Sequence, residues 1–394
     1  MLSQLSGNDD TQVARKLIDK YGKKAKQLFD PYCGTGTSLV EANIKNINAI
    51  GTDLNPLARL IAETKTTPID LRKLDTCIRD FNDKVFSAQF GIKDAKSIEL
   101  PNFKNINYWF AKDVQEKLAL IKNYIDNIKD KSIQKFFKVA FSETVRESSW
   151  TKNSEFKLVR MSAEQMKRFN PDVYSIMECK LTRNRKGLAS YLQIKQNGAT
   201  ANIYDFNTVV KIPTDILPIH SVDLIITSPP YGDSRTTVAY GQFSRLANQW
   251  LGVQDASQID KSLMGGIKNG NRIKSRSKAA DETIDEIYDI DENRCKDVIA
   301  FFADYEKSIS NLTNVIKPGG YACYVVGNRC VKGTIIPMDE ITKDFFEANG
   351  FKHIETIIRN IPNKRMPSEN SPSNVSGKKV STMKNEYIVI CQKN

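Results

Sequence analysis

Val222-Asp223-Leu224-Ile225-Ile226-Thr227-Ser228-Pro229-Pro230-Tyr231 is an apolar run that ends abruptly at two prolines. Such a run reads as a buried strand over 222–227 whose C-terminal tip stops at a rigid turn. Open α/β sheets place their chemistry at tips of this kind. The prolines fix φ, remove two backbone donors and leave carbonyl oxygens free, so Ser228-Pro229-Pro230 suits gripping an amino group rather than cradling a phosphate. Tyr231 follows immediately, an aromatic able to stack on a planar ring.

Upstream, Val13, Leu17, Ile18 and Tyr21 mark one side of a short amphipathic helix over 11–24 that feeds a strand at Lys26-Gln27-Leu28-Phe29. Next comes Asp30-Pro31-Tyr32-Cys33-Gly34-Thr35-Gly36-Thr37, and then a helix beginning at Ser38. Strand, glycine loop and helix in that order let a cofactor approach bare backbone. A second strand, Ala49-Ile50-Gly51-Thr52, is followed by Asp53-Leu54, and Asp53 stands 19 residues after Gly34. That is about the distance at which a βαβ unit offers an acid to ribose hydroxyls. The loop lacks the Lys-Ser/Thr ending of a P-loop and its glycines are closer together than in the dinucleotide fingerprint. S-adenosylmethionine, which has no phosphates, fits the pattern better.

From 71 to 199 the strand-helix alternation stops. Val114, Leu118, Ile121, Ile125 and Ile128 trace one helix face, and Phe136, Phe137, Ala140 and Phe141 a second, so this stretch reads as a mostly helical insertion. Residues 151–199 carry ten Lys or Arg against four acids, among them Lys152, Lys157, Arg160, Lys167, Arg168, Arg183, Arg185 and Lys186, with Trp150, Phe156, Phe169 and Tyr174 interleaved. Basic residues mixed with aromatics suit a nucleic-acid surface as well as a solvated face. Pro171-Asp172, then Glu178-Cys179-Lys180, follows the acid, Glu-x-Lys spacing of nucleases, but five intervening residues leave little room to set both acids on neighbouring strands around one metal.

Alternation resumes with a strand at Ala201-Asn202-Ile203-Tyr204 ending in Asp205-Phe206. Beyond Tyr231, residues 232–292 read as a polar loop region, with six cations and no acids from Lys261 to Lys278 and an acidic stretch over 281–292. Val298, Phe301, Phe302, Tyr305, Ile309, Leu312 and Ile316 predict a long helix stopped by Pro318-Gly319-Gly320, with a strand over 321–326 after it. A helix over 342–348 and strands over 352–359 and 386–391 complete the pattern. The loop between those last strands holds Lys364, Arg365, Lys378, Lys379 and Lys384.

The net charge of +12 favours a polyanionic partner. Seven cysteines without a CxxC pair, and only two histidines, argue against a zinc site. The odd cysteine count and the lack of a signal-like or membrane-spanning apolar stretch point to a reduced cytoplasmic compartment with no membrane partner.

These residues together resemble the S-adenosylmethionine-dependent amino methyltransferases that make N4-methylcytosine or N6-methyladenine in DNA. The resemblance implies a Rossmann-like methyltransferase, an α/β fold with a seven-stranded mixed sheet whose last strands form an antiparallel pair, here carrying the helical insertion. The catalytic core is expected over 1–70, 200–231 and 293–394, with 71–199 and 232–292 as candidate DNA contacts. In that family 30–37 is similar to the cofactor loop, so Asp30, Tyr32, Cys33, Gly34, Thr35, Gly36 and Thr37 are candidate ligands of S-adenosyl-L-methionine. Asp53 with Leu54 looks like the ribose site, and Asp205 with Phe206 like the adenine site. Ser228-Pro229-Pro230-Tyr231 matches the catalytic tetrapeptide, and serine in first position is the form seen more often in N4-cytosine enzymes.

The implied reaction is methylation of cytosine N4 in a specific duplex DNA sequence with base flipping. Its implied setting is restriction-modification, with a cognate restriction endonuclease sharing the site. N6-adenine methylation, RNA base methylation and a DNA-binding subunit without catalysis are the alternatives. Cytosine C5 chemistry is disfavoured, because the chain has no Pro-Cys dipeptide to supply its nucleophile. Members of the family often carry an aromatic-bearing segment before the cofactor loop, and residues 1–25 offer only Tyr21.

Overall fold

The structure is a computed structural model that describes residues 9–89, 99–152, 158–195, 198–232, 234–254, 256, 258–267, 274–360, 369–370, 380–381 and 385–394. The basic residues Lys364, Arg365, Lys378, Lys379 and Lys384, and with them Phe156, Lys157, Lys268 and Arg272, lie outside the described residues.

Helix α1 (Asp9–Tyr21) leads into β1 (Gln27–Asp30), α2 (Thr37–Ile44), β2 (Asn48–Thr52) and α3 (Pro56–Thr66). The insertion supplies α4 (Leu71–Gln89), α5 (Ile106–Trp109), α6 (Lys112–Asp126), α7 (Lys131–Ser148), α8 (Ala163–Arg168) and α9 (Val173–Ile194). Strands β3 (Ala201–Tyr204) and β4 (Val222–Thr227) precede α10 (Ser234–Trp250), α11 (Ile259–Ser262), α12 (Lys278–Ile290) and α13 (Glu292–Thr313). The chain closes with β5 (Ile316–Val326), the hairpin β6 (Arg329–Val331) and β7 (Thr334–Ile336), α14 (Met338–Glu347), β8 (Phe351–Asn360), the short pair β9 (Glu369–Asn370) and β10 (Val380–Ser381), and β11 (Asn385–Lys393).

The main sheet has seven strands in the order β3-β2-β1-β4-β5-β11-β8. β1 to β5 run parallel, and β11 is antiparallel to both β5 and β8. The order reverses between β1 and β4, and at that switch the connections leave in opposite directions and open a crevice above the two strand tips. Side chains alternate across the sheet as the two-residue period requires. Phe29 and Ile225 enter the core under α13 and α14 with Phe301, Phe302, Tyr305 and Tyr324. Leu28, Leu224 and Ile226 enter the opposite core with Ala14, Leu17 and Ile18 of α1 and Leu39 of α2. With both faces covered, the middle of β4, Leu224-Ile225-Ile226, has to be apolar on both sides, which explains its sequence.

Two expectations are corrected here. The segment 232–292 is not a loop region: α10 and α12 occupy much of it. Leu246, Ala247 and Trp250 of α10 sit in the same core as Phe110, Phe136, Phe137 and Phe141 of the insertion, and the Trp250 ring meets Phe110 and Phe141 edge-on. Secondly, Pro318-Gly319-Gly320 does not separate helix from strand. α13 ends at Thr313 and β5 is already paired at Ile316, opposite Val222, with the proline and glycines absorbed as an irregularity before Tyr321 pairs with Leu224.

Candidate active site

Asp30 ends β1 and is 5% exposed. Its Oδ1 accepts the hydroxyl of Thr227, at the tip of β4, at 2.6 Å and the backbone N–H of Tyr32 at 3.1 Å, while Oδ2 accepts the hydroxyl of Ser38 in α2. Burial pushes the Asp30 carboxyl up to about 6 even though these donors favour its charged form. One side chain thus joins the glycine loop to the residue immediately before Ser228.

Within that loop the two glycines differ. Gly36 has φ 77° and serves as N-cap of α2; a Cβ there would lie 2.8 Å from the Cβ of Ala62 in α3. Gly34 has φ 49° and a Cβ there would meet nothing within 4 Å. The first is bare for packing, whereas the second leaves open space above a backbone that a ligand can approach. Its N–H donates to Asp53 Oδ2 at 3.0 Å, and the N–H of Asn55 donates to Asp53 Oδ1 at 2.8 Å. Burial raises the Asp53 carboxyl. Each oxygen keeps a lone pair for a further donor, such as a ribose hydroxyl. Thr52 fastens the next tip by donating to the carbonyls of Tyr204 and Phe206 at 3.1 and 2.7 Å. The residues present therefore fit a nucleoside cofactor lying from β1 across β2 towards β3.

Not every candidate ligand points into that space. Tyr32 packs against the α13 side of the sheet and its hydroxyl lies 2.5 Å from Ser308 Oγ, which also bonds the Thr208 hydroxyl. Cys33 is buried and burial pushes its thiol well up, so it fills space rather than reacting. Asp205 is 78% exposed at its side chain, with Arg59 Nη2 3.8 Å away. Phe206 is half-buried and its ring faces Phe29 and Tyr204 at 6.1 Å. Leu54, Thr35 and Thr37 are half-buried along the rim.

At the β4 tip Pro229 is buried and Ser228 exposed, and Ser228 Oγ lies 3.0 Å from the Tyr231 hydroxyl. A hydroxyl pair of this kind orients both side chains before any substrate arrives. Sequence reasoning passed over Ser38, Thr52, Thr227 and Asn55. Asn55 had a legible signal: it precedes Pro56, and its side chain caps α3 by accepting from Leu57 N–H at 3.1 Å. The nuclease-like spacing comes to nothing, because Asp172 caps α9 and Glu178 and Lys180 lie on the same helix. Lys180 pairs with Glu147 at 2.5 Å. Among the described residues no cluster of three or more His, Cys, Asp or Glu is arranged to hold a metal. None of the described helices is long and apolar enough to cross a membrane.

A Rossmann-like sheet with an antiparallel β11 inserted before its edge strand, and a glycine loop facing a Ser-Pro-Pro-Tyr turn at the switch point, defines an S-adenosylmethionine-dependent methyltransferase. Residues 222–394 match the N6/N4 methyltransferase family, described as DNA methylase. Over 398 residues the chain is 37% identical to the type II methyltransferase M.MvaI of Kocuria varians, covering 96% of this chain and 87% of that one. It is 22% identical over 410 residues to the type II methyltransferase M.BsoBI of Geobacillus stearothermophilus, covering 88% and 77%. A SAM-dependent methyltransferase structure from Methanosarcina mazei aligns over 96% of both chains at 9% identity and a TM-score of 0.33. The chain belongs to the S-adenosylmethionine-dependent DNA amino-methyltransferases, with S-adenosyl-L-methionine as cofactor and DNA as substrate.

Proposed function

We propose that this methyltransferase modifies the exocyclic N4 of cytosine within a specific duplex DNA sequence, with the target base rotated out of the helix. It would act in the cytoplasm as the modification half of a restriction-modification system, beside an endonuclease that shares its site. The observation that carries this reading is the residue at the head of the catalytic turn: a serine, Ser228, exposed at the tip of β4. Both relatives named above are type II methyltransferases, which supports the restriction-modification setting.

An exocyclic amine is a poor nucleophile because its lone pair is delocalised into the ring. Hydrogen bonds from its N–H groups to Ser228 Oγ and the Pro229 carbonyl would localise that lone pair. The Tyr231 hydroxyl, 3.0 Å from Ser228 Oγ, would hold the serine in place while its ring stacks on the extruded base. Bound S-adenosylmethionine supplies a sulfonium methyl for direct transfer. Orientation by the two strand tips brings amine and methyl into line. Residues 1–70, 200–231 and 293–394 would form the catalytic core, with Asp53 taking the ribose and Asp205 with Phe206 flanking the adenine.

The insertion 71–199 and the segment 232–292 would meet the DNA. Arg160 lies over the rings of Tyr108 and Trp150, at 4.0 and 5.3 Å from their centroids, giving the insertion an aromatic-cationic patch. Incubation with methyl-labelled S-adenosylmethionine and duplex DNA, single-stranded DNA or RNA tests the reading. Label should enter duplex DNA and resist dilution by unrelated sequence. Preferential labelling of RNA would defeat it.

A further inference from the structure

Lys65 stands in the last turn of α3, is 9% exposed, and directs its ammonium at the glycine loop, where Nζ lies 3.2 Å from Thr35 Oγ1. Among the described residues that hydroxyl is the one hydrogen-bond acceptor Lys65 reaches. An ammonium has three donors, and burying it with a single neutral partner is costly. Burial lowers Lys65 to about 8, against the pull of Glu143 on α7. Glu143 is itself committed elsewhere: Arg183 holds it at 2.6 Å and Lys180 lies 3.9 Å away. A lysine whose task was to tie α7 to the loop would take that carboxylate as a hydrogen-bond partner.

The surroundings favour an anion arriving from outside the chain. α2 starts beside Thr35 with Gly36 as N-cap and no side chain capping it, so its first N–H groups and the positive end of its dipole face the same place. Asp53, on the other flank of the loop, suits the ribose; the amino-acid end of the cofactor, which bears a carboxylate, then falls towards Thr35 and Thr37. Tyr21 offers no cover there, because its ring packs on Tyr321 at 5.1 Å and its hydroxyl bonds Glu355 of β8.

We propose that Lys65 is a cofactor-binding residue that receives the carboxylate of S-adenosylmethionine, with the Thr35 hydroxyl beside it. The inference rests on the identity of the cofactor and not on which base is methylated. It also explains why a lysine is buried where a leucine would pack more cheaply.

Calorimetric binding of S-adenosylmethionine and of its decarboxylated analogue to wild type, Lys65→Met and Lys65→Arg tests it without any turnover. Loss of one charge-assisted hydrogen bond predicts that Lys65→Met weakens S-adenosylmethionine roughly ten- to a hundredfold. The decarboxylated analogue should bind wild type and Lys65→Met within about twofold of each other, and Lys65→Arg should recover part of the loss. Should Lys65→Met fail to fold, wild type alone must still prefer the carboxylated ligand by a similar factor. Equal weakening of both ligands, or of neither, would overturn the assignment. Wild type binding neither ligand would instead overturn the cofactor beneath it.

Discussion

The Thr227 hydroxyl donates to the buried Asp30 carboxylate at 2.6 Å, joining the last residue of β4 to the last residue of β1 across the switch point. Thr227→Val keeps the shape and removes the donor, while Tyr32 N–H and Ser38 still serve Asp30. Stability should fall by about 1–2 kcal/mol with no change in the slope of a urea titration. A Thr227→Val protein as stable as wild type would mean that the link contributes nothing.

Asp30 also predicts a pH dependence. Burial raises its carboxyl from the ordinary 3.8 to about 6, so the folded protein keeps a proton that the unfolded chain has already released. Its favourable contribution is complete below 3.8 and is lost as pH rises through 6. Asp30→Asn cannot titrate. The stability advantage of wild type over Asp30→Asn should therefore shrink by an amount on the order of 2 kcal/mol between about pH 4.5 and 7.5, read from denaturant unfolding at both. A difference that stays constant over that range contradicts the burial argument.

The two loop glycines should respond differently to alanine. Gly36→Ala combines a left-handed φ with a contact of 2.8 Å against Ala62, and should cost about 2–4 kcal/mol of stability. Gly34→Ala meets no atom and should cost about 1 kcal/mol, yet weaken cofactor binding roughly tenfold by filling the space above the loop. Unchanged calorimetric affinity in Gly34→Ala would place the cofactor elsewhere.

Much of this was legible in the sequence because it is written locally. The strand at 222–227 and the Gly34 loop declare themselves by unbroken apolarity and by glycine spacing, and the turn at 228–231 by its prolines. α10 was not legible: Leu246, Ala247 and Trp250 share a helix face, but Gln242, Ser244 and Arg245 before them and Asn248 and Gln249 among them swamp the period. Links across the fold are invisible to any window. Asp30 and Thr227 are 197 residues apart and Thr52 and Phe206 are 154 apart. Direction is equally hidden, since nothing in Asp-Pro-Tyr-Cys says that Tyr32 turns to Ser308, and nothing in Glu63-Thr64-Lys65-Thr66 that Lys65 turns towards Thr35.

Ser228→Ala and Tyr231→Ala separate chemistry from binding. Each should slow methyl transfer by roughly a hundredfold or more, while cofactor affinity stays within about twofold of wild type. Full transfer activity in both variants would remove the 228–231 turn from the mechanism.

Nucleoside analysis of duplex DNA methylated by the wild-type protein tests the central claim most directly. Enzymatic digestion and separation should return the label as N4-methylcytosine, and recovery of it as N6-methyladenine would contradict the reading of Ser228.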